Sequence, residues 1–202
     1  AYWKFDECNC NTVGDSSGHN YDGTRVGATW TPYGYSGCGL VFDGENDYIQ
    51  IPHSNILNLD TKKSFTISFW IKSDDPQYGR LLTKYDENLG GEFPISFQCT
   101  PVLFNAYISH YRIQYGNLWD NKWHHILFIT DALNGKLTGI LDGEKRQSTD
   151  YDNSRSTANT VDIYIAKRPG FTNFYKGCID NIRIYNRVLT EHEILLLLHE
   201  GQ

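Results

Sequence analysis

Phe65-Thr66-Ile67-Ser68-Phe69-Trp70-Ile71-Lys72 decides the fold. Phe65, Ile67, Phe69 and Ile71 fall on one side of an extended chain and Thr66, Ser68, Trp70 and Lys72 on the other, the alternation of a strand with one face in a core. Working outward, similar apolar runs occupy residues 2–5, 39–42, 48–51, 81–85, 95–99, 103–115, 123–130, 136–141, 161–166 and 178–185. Between them Asp43-Gly44, Asn134-Gly135 and Asp142-Gly143 are dipeptides that accept positive φ in tight hairpins. So many short strands in one chain, joined by such turns, predict two stacked antiparallel sheets, an all-β sandwich. With no linker in the composition, residues 1–202 read as a single domain. One short C-terminal helix closes it: Thr190-Glu191-His192-Glu193 is a capping box, and Ile194, Leu197 and Leu198 then form one apolar stripe.

Composition narrows the function. With 18 Lys+Arg against 24 Asp+Glu the net charge is −6, and the cations are scattered, so the basic stripe of a nucleic-acid or anionic-membrane surface is missing. The longest apolar run, residues 194–198, is far short of the roughly 20 residues that cross a bilayer, which excludes insertion by a helix. The absence of Met and the start at Ala1 predict an initiator, and a leader, outside the sequence shown. Five cysteines, Cys8, Cys10, Cys38, Cys99 and Cys178, lack any CxxC pair and predict one or two structural disulfides, at least one buried free thiol and an extracellular or cell-surface setting. Cys38 and Cys178 each precede a strand at comparable positions and are the first pair to test.

The ordered set Trp3-Lys4-Phe5-Asp6-Glu7, Asp15-Ser16-Ser17-Gly18, Asp22-Gly23-Thr24, Gly39-Leu40-Val41-Phe42-Asp43-Gly44, Asp47-Tyr48-Ile49-Gln50-Ile51-Pro52, residues 65–72, Trp123-His124-His125-Ile126, Leu141-Asp142-Gly143 and Gly177-Cys178-Ile179-Asp180-Asn181-Ile182 resembles the laminin-G-like, concanavalin A-like jelly-roll family, nearly end to end. The resemblance implies a two-sheet jelly roll. It leaves function open among carbohydrate-binding (lectin-like) modules, adhesion domains that bind protein partners or themselves, and some glycosidases and lyases.

A bound cation has its own argument. In residues 178–185 Asp180 shares a face with Ile182 and Ile184, so a carboxylate points inward and needs a partner. Glu7 shares parity with Trp3 and Phe5, Asp6 lies beside it, and residues 15–24 are rich in oxygen donors of the kind calcium takes. The resemblance implies a structural calcium between first and last strands, with Asp180 as first ligand, then Asp6 or Glu7, and Asn20, Asp22 and Thr24 contributing. The competing reading satisfies Asp180 with backbone amides or Arg183.

A glycan surface needs flat rings and a few planar polar groups. Tyr107, Tyr111 and Tyr115 share one face of residues 103–115 if that run stays extended, with His110 and Arg112 on the other. Parity does not choose which face is core. Loop aromatics Tyr33, Tyr35, Trp119 and Phe171 are further candidates. No catalytic constellation stands out: the nearest acidic group, Asp86-Glu87 with Glu92, is interrupted by Gly90-Gly91, and Tyr175-Lys176 lacks the companions of a lyase site. The expectation is a non-catalytic glycan- or polysaccharide-binding domain with one structural calcium.

Overall fold

A computed structural model describes residues 1–75, 77–85 and 95–200. Its first sheet runs β14 (Glu144–Asp150), β13 (Lys136–Leu141), β12 (His124–Asp131), β7 (Phe65–Lys72), β16 (Lys176–Tyr185), β5 (Gly39–Asp43) and β4 (Thr29–Thr31), with β1 (Tyr2–Trp3) paired to the far end of β16. The second runs β11 (Tyr111–Gly116), β10 (Phe104–Ile108), β9 (Ile95–Cys99), β8 (Gly79–Lys84), β15 (Ile163–Ile165), β6 (Tyr48–Ile51), β3 (Gly23–Val26) and β2 (Thr12–Val13). All the paired strands are antiparallel, and one apolar cluster including Trp3, Phe42, Phe69, Phe97, Phe104 and Phe128 fills the space between the sheets.

Alternation explains the inner faces. Phe69 meets Phe97 edge-on at 4.9 Å, and Phe97 meets Phe128 at 5.8 Å, rings contributed by both sheets. β7 departs from its expected solvent face: Thr66, Ser68 and Trp70 are as buried as Ile67 and Phe69. The reason is a second apolar layer. Leu127, Ile129 and Ile140 on the outside of the first sheet pack against Leu189, Ile194 and Leu197, so the C-terminal segment covers that side. The helix α1 (Glu191–His199) begins as its sequence dictates, with Thr190 and Glu193 completing the capping box and Arg187 bound to Glu193 at 2.6 Å.

Three local expectations are corrected. Residues 103–115 are not one strand: Ser109 at φ 52° and His110 turn the chain back, so β10 and β11 form a hairpin. Extended structure at the N-terminus stops at Trp3, because Phe5 takes φ 60°, although Trp3 and Phe5 are both buried. The disulfide joins Cys8 to Cys38, Cα atoms 5.8 Å apart. Cys178 sits opposite Val41, and the three-residue offset from Cys38, roughly 10 Å along an extended chain, is beyond disulfide reach. Cys10, Cys99 and Cys178 are free thiols, and Cys99 is the buried one. Closing a loop of separation 30 removes on the order of 3–4 kcal/mol of unfolded-chain entropy.

Candidate functional site

Residues directly opposite one another on neighbouring strands share a face. Across the second sheet the register aligns Thr24, Gln50, Tyr164, Thr83, Ser96, Tyr107 and Arg112 in one row. Their chain neighbours Ile49, Ile165, Leu82, Phe97, Ala106 and Ile113 are in the core, so this row lies on the outside. A bulge between Arg80 and Leu82 keeps Arg80 on the same face, where Arg80, Gln98, Asn105 and Gln114 make a second row. Tyr164 and Tyr107 are three strand spacings apart, about 14 Å, the span of an oligosaccharide rather than a single sugar.

At the β6–β15 end, Tyr48 and Tyr164 lie 6.2 Å apart and Lys167 Nζ sits 3.8 Å over Tyr48. Asp162 accepts from Gln50 Nε2 at 2.6 Å and from the His53 amide at 2.8 Å. At the β8–β9 end a hollow of about 60 Å³ is lined by Tyr78, Arg80, Gln98, Arg168 and Phe171 among others. The Arg168 guanidinium covers Phe171 at 3.7 Å and Tyr85 at 4.0 Å. Burial first, and then the charge of Arg168, lower the Arg80 pKa from its ordinary value. Between these ends Ser96 Oγ and Asn105 Oδ1 are buried without a hydrogen-bond partner. Buried polar atoms are nearly always paired, so these two, out of reach of solvent in this state, are polar groups that the fold leaves unmatched beneath the outer face.

The structure brings together only some of the residues expected at a ligand surface. Tyr107 and Arg112 stand on this face, and Phe171 lies at its rim, 45 % exposed. Tyr115 does not: it is 3 % exposed between the sheets and donates to the Leu127 carbonyl at 2.6 Å. The expected stripe of Tyr107, Tyr111 and Tyr115 is thus broken by the hairpin. His110 and Tyr111 line a separate hollow of about 220 Å³ with Thr61, Asp152 and Arg155, and Tyr111 Oη accepts from the Asp152 amide. Trp119 packs against the core and donates to the Thr100 carbonyl. Tyr35 is a structural ring, stacked on Trp70 at 3.4 Å with its hydroxyl on the Leu198 carbonyl, whereas Tyr33 is 82 % exposed. Tyr175 is buried, its hydroxyl directed at the Lys72 and Cys178 carbonyls, as a packing residue. Asp86, Glu87 and Glu92 lie outside the described residues. Gln98, Asn105, Arg80 and Tyr164 were not singled out from sequence; parity within residues 95–99 and 161–166 carried the signal for Gln98 and Tyr164, opposite Phe97 and Ile165.

The expected cation ligands fall into separate places. Asp180 is fully buried; its Oδ2 accepts from the Ser36 amide at 3.0 Å while its Oδ1 has no partner, and desolvation raises its pKa to about 7. Asp6 accepts from the Cys38 amide, so both carboxylates rest against residues 34–38, where Gly34 and Gly37 leave no room for a Cβ. Glu7 Oε1 accepts from the Gly14 amide and its Oε2 is buried and unpaired. Asp22 accepts from the Asp15 amide, Asn20 takes φ 60°, and Thr24 pairs with Thr12 and Gln50 on β3. Among the described residues no group of three or more His, Cys, Asp or Glu side chains converges as metal ligands. Asp180 and Asp6 both approach residues 34–38, while the other expected ligands are engaged elsewhere.

The pattern of the concanavalin A-like lectin/glucanases superfamily (Laminin_G_3) matches residues 43–195. The chain is 26 % identical over 200 residues to the non-toxic nonhemagglutinin type A of Clostridium botulinum, covering 96 % of this chain and 16 % of that protein, so it spans a small part of that relative's length. Domain 4 of AbnA, a GH43 extracellular arabinanase from Geobacillus stearothermophilus solved with arabinotriose, superposes with TM-score 0.72 and 20 % identity, covering 100 % of this chain and 97 % of that one. The binding domain of botulinum neurotoxin DC, solved with rat synaptotagmin II, superposes with TM-score 0.74 and 15 % identity over 100 % of this chain and 51 % of that one.

Proposed function

The chain belongs to the concanavalin A-like lectin/glucanases superfamily, and on that footing we propose that it is a non-catalytic recognition domain that binds a neutral oligosaccharide on the outside of its second sheet. The observation that carries this reading is the set of half-buried rings and planar polar side chains on the outside of the second sheet, Tyr107, Tyr164, Gln50, Gln98 and Arg80. The rings take apolar sugar faces, and Gln50, Gln98 and Arg80 offer planar groups to hydroxyls. Among the described residues the face carries no arrangement of nucleophile, base and orienting group: Asp162 is already engaged by Gln50 and His53.

Calorimetric titration with a panel of neutral oligosaccharides headed by arabinotriose tests the reading. Tyr107→Ala is expected to weaken binding on the order of tenfold while leaving thermal stability nearly unchanged. A ligand that binds both proteins equally overturns the placement.

The reading includes a structural calcium held by Asp180 and Asp6, supported by the unpaired Asp180 Oδ1 and the proximity of both carboxylates to residues 34–38. Its effect is to neutralise a buried carboxylate; thermal unfolding with EDTA, then with added calcium, is expected to lower and then restore the midpoint. An unchanged midpoint removes the metal. The Cys8–Cys38 bridge supports an extracellular or cell-surface setting. A protein partner is the second reading, favoured by Leu195 and Leu196, 49 % and 58 % exposed on the outside of α1.

A further inference from the structure

A hollow larger than the two described above lies away from the face of the second sheet. It is a groove of about 870 Å³ where β7 begins and β12 and β16 end, a size suited to a small ligand. Lys62, Lys63 and Arg183 line it, and no Asp or Glu does, in a chain whose acidic residues outnumber its Lys and Arg by 24 to 18. Carboxylates near it in sequence are hydrogen-bonded elsewhere, Asp131 accepting from the Asn134 amide and side chain. Asp15 accepts from the Tyr2, Ser17 and Tyr21 amides, and Asp60, 6 % exposed, accepts from the Lys62 and Thr157 amides.

The cations differ in role. Arg183 is fixed, 3.8 Å over the Tyr2 ring and 2.7 Å from Glu200, so it shapes the wall. Lys62 and Lys63 are exposed and join no ion pair among the described residues. Opposite charge is what such a pair of unengaged ammonium groups recruits. Flat surface is also present: the His19 and Tyr21 rings lie 5.7 Å apart and within 4° of parallel. Tyr21 is itself anchored, since its carbonyl accepts from the Trp3 indole at 2.8 Å. Rings for sugar faces, amide and hydroxyl side chains such as Asn55 and Ser64, and the two unengaged ammonium groups of Lys62 and Lys63 are together the requirements of an acidic sugar.

We propose that this strand-end groove is a second binding site, distinct from the face of the second sheet, that takes an oligosaccharide bearing carboxylate or sulfate groups. The site does not depend on the neutral-sugar reading.

The test is calorimetric titration of the 202-residue chain with trigalacturonic acid, a heparin-derived hexasaccharide and neutral maltotriose. One or both acidic probes are expected to bind, more weakly as sodium chloride rises, and maltotriose is expected not to enter the groove. Lys62→Glu with Lys63→Glu is expected to weaken acidic binding on the order of tenfold or more at an unchanged unfolding midpoint, because both residues are exposed. Tyr107→Ala is expected to leave it unchanged, which separates this site from the sheet face. Failure of both acidic probes to bind, binding indifferent to the charge reversal, or loss with Tyr107→Ala overturns the proposal. So does binding to phosphatidylserine vesicles without binding to either free acidic sugar.

Discussion

The outer faces of the two sheets are built from the same alternation and end in opposite conditions. On the first, Ser68 Oγ and His125 Nε2 are 2.8 Å apart, Thr66 donates to the Arg187 carbonyl, and Trp70 is sandwiched between Tyr35 at 3.4 Å and His125 at 4.7 Å, all under the C-terminal segment. On the second, Tyr107, Gln98, Arg80 and Gln50 are half-buried, while buried atoms without a partner occur on both faces, His125 Nδ1 on the first and Ser96 Oγ and Asn105 Oδ1 on the second. A polar residue on the outside of a strand is therefore not informative by itself. What covers the strand decides whether that residue is locked into the packing or stays partly open to solvent.

The largest effect that sharpens this contrast is expected from Trp70→Ala. Removing a ring packed on both sides by Tyr35 and His125 should cost about 3–5 kcal/mol in urea unfolding, with little change in the affinity of the second-sheet face. Equal loss of sugar binding in folded protein would break the separation of the faces.

Next is the acid limb of stability. Desolvation, with a smaller push from Arg183, lowers the His125 pKa to about 4, opposed by Asp142. Between about 6.5 and about 4 the unfolded chain therefore binds more protons at this residue than the folded one. Its contribution is intact above about pH 6.5 and falls as pH drops toward 4, by about 3 kcal/mol in the limit. His124 acts the other way: its hydrogen bond to Asp142 raises its pKa, so it adds stability as pH falls. Comparing urea unfolding of the parent and His125→Gln across this window isolates the His125 part; an equally steep acid limb in the variant would refute the assignment.

The smallest effects come from two serines. Ser68→Ala leaves a buried imidazole nitrogen unpaired and is expected to cost about 1–3 kcal/mol. Ser96→Ala removes a hydroxyl that has no partner and is expected to change stability by less than about 0.5 kcal/mol. Equal costs would mean that the two faces do not differ.

Much of this architecture is legible in the amino acids. Period-two runs located most of the long strands, Thr190 and Glu193 marked the helix start, and Asp142-Gly143, at φ 52° and 81°, is the hairpin its dipeptide predicts. β14 was missed because Glu144-Lys145-Arg146-Gln147 has no apolar alternation; as an edge strand it is burdened with charge instead. The Ser109-His110 turn was missed because neither residue announces positive φ, and that single turn moved Tyr115 into the core. Of the candidate site, Tyr107 and Arg112 were legible, but Arg80, Gln98 and Asn105 required the cross-strand register. Register is a long-range property that local periodicity does not contain.

The position of β16 has a consequence for how the chain acquires its shape. This last strand is a central one, paired to β7 on one side and to β5 and β1 on the other, with Tyr2 opposite Arg183. Until residues 176–185 emerge from the ribosome, the first sheet exists at most as two halves with bare edges at β7 and β5. Completion is thus a single late event that joins the chain's opposite ends, the kind of non-local closure that makes folding slow and leaves the nascent chain exposed to mispairing.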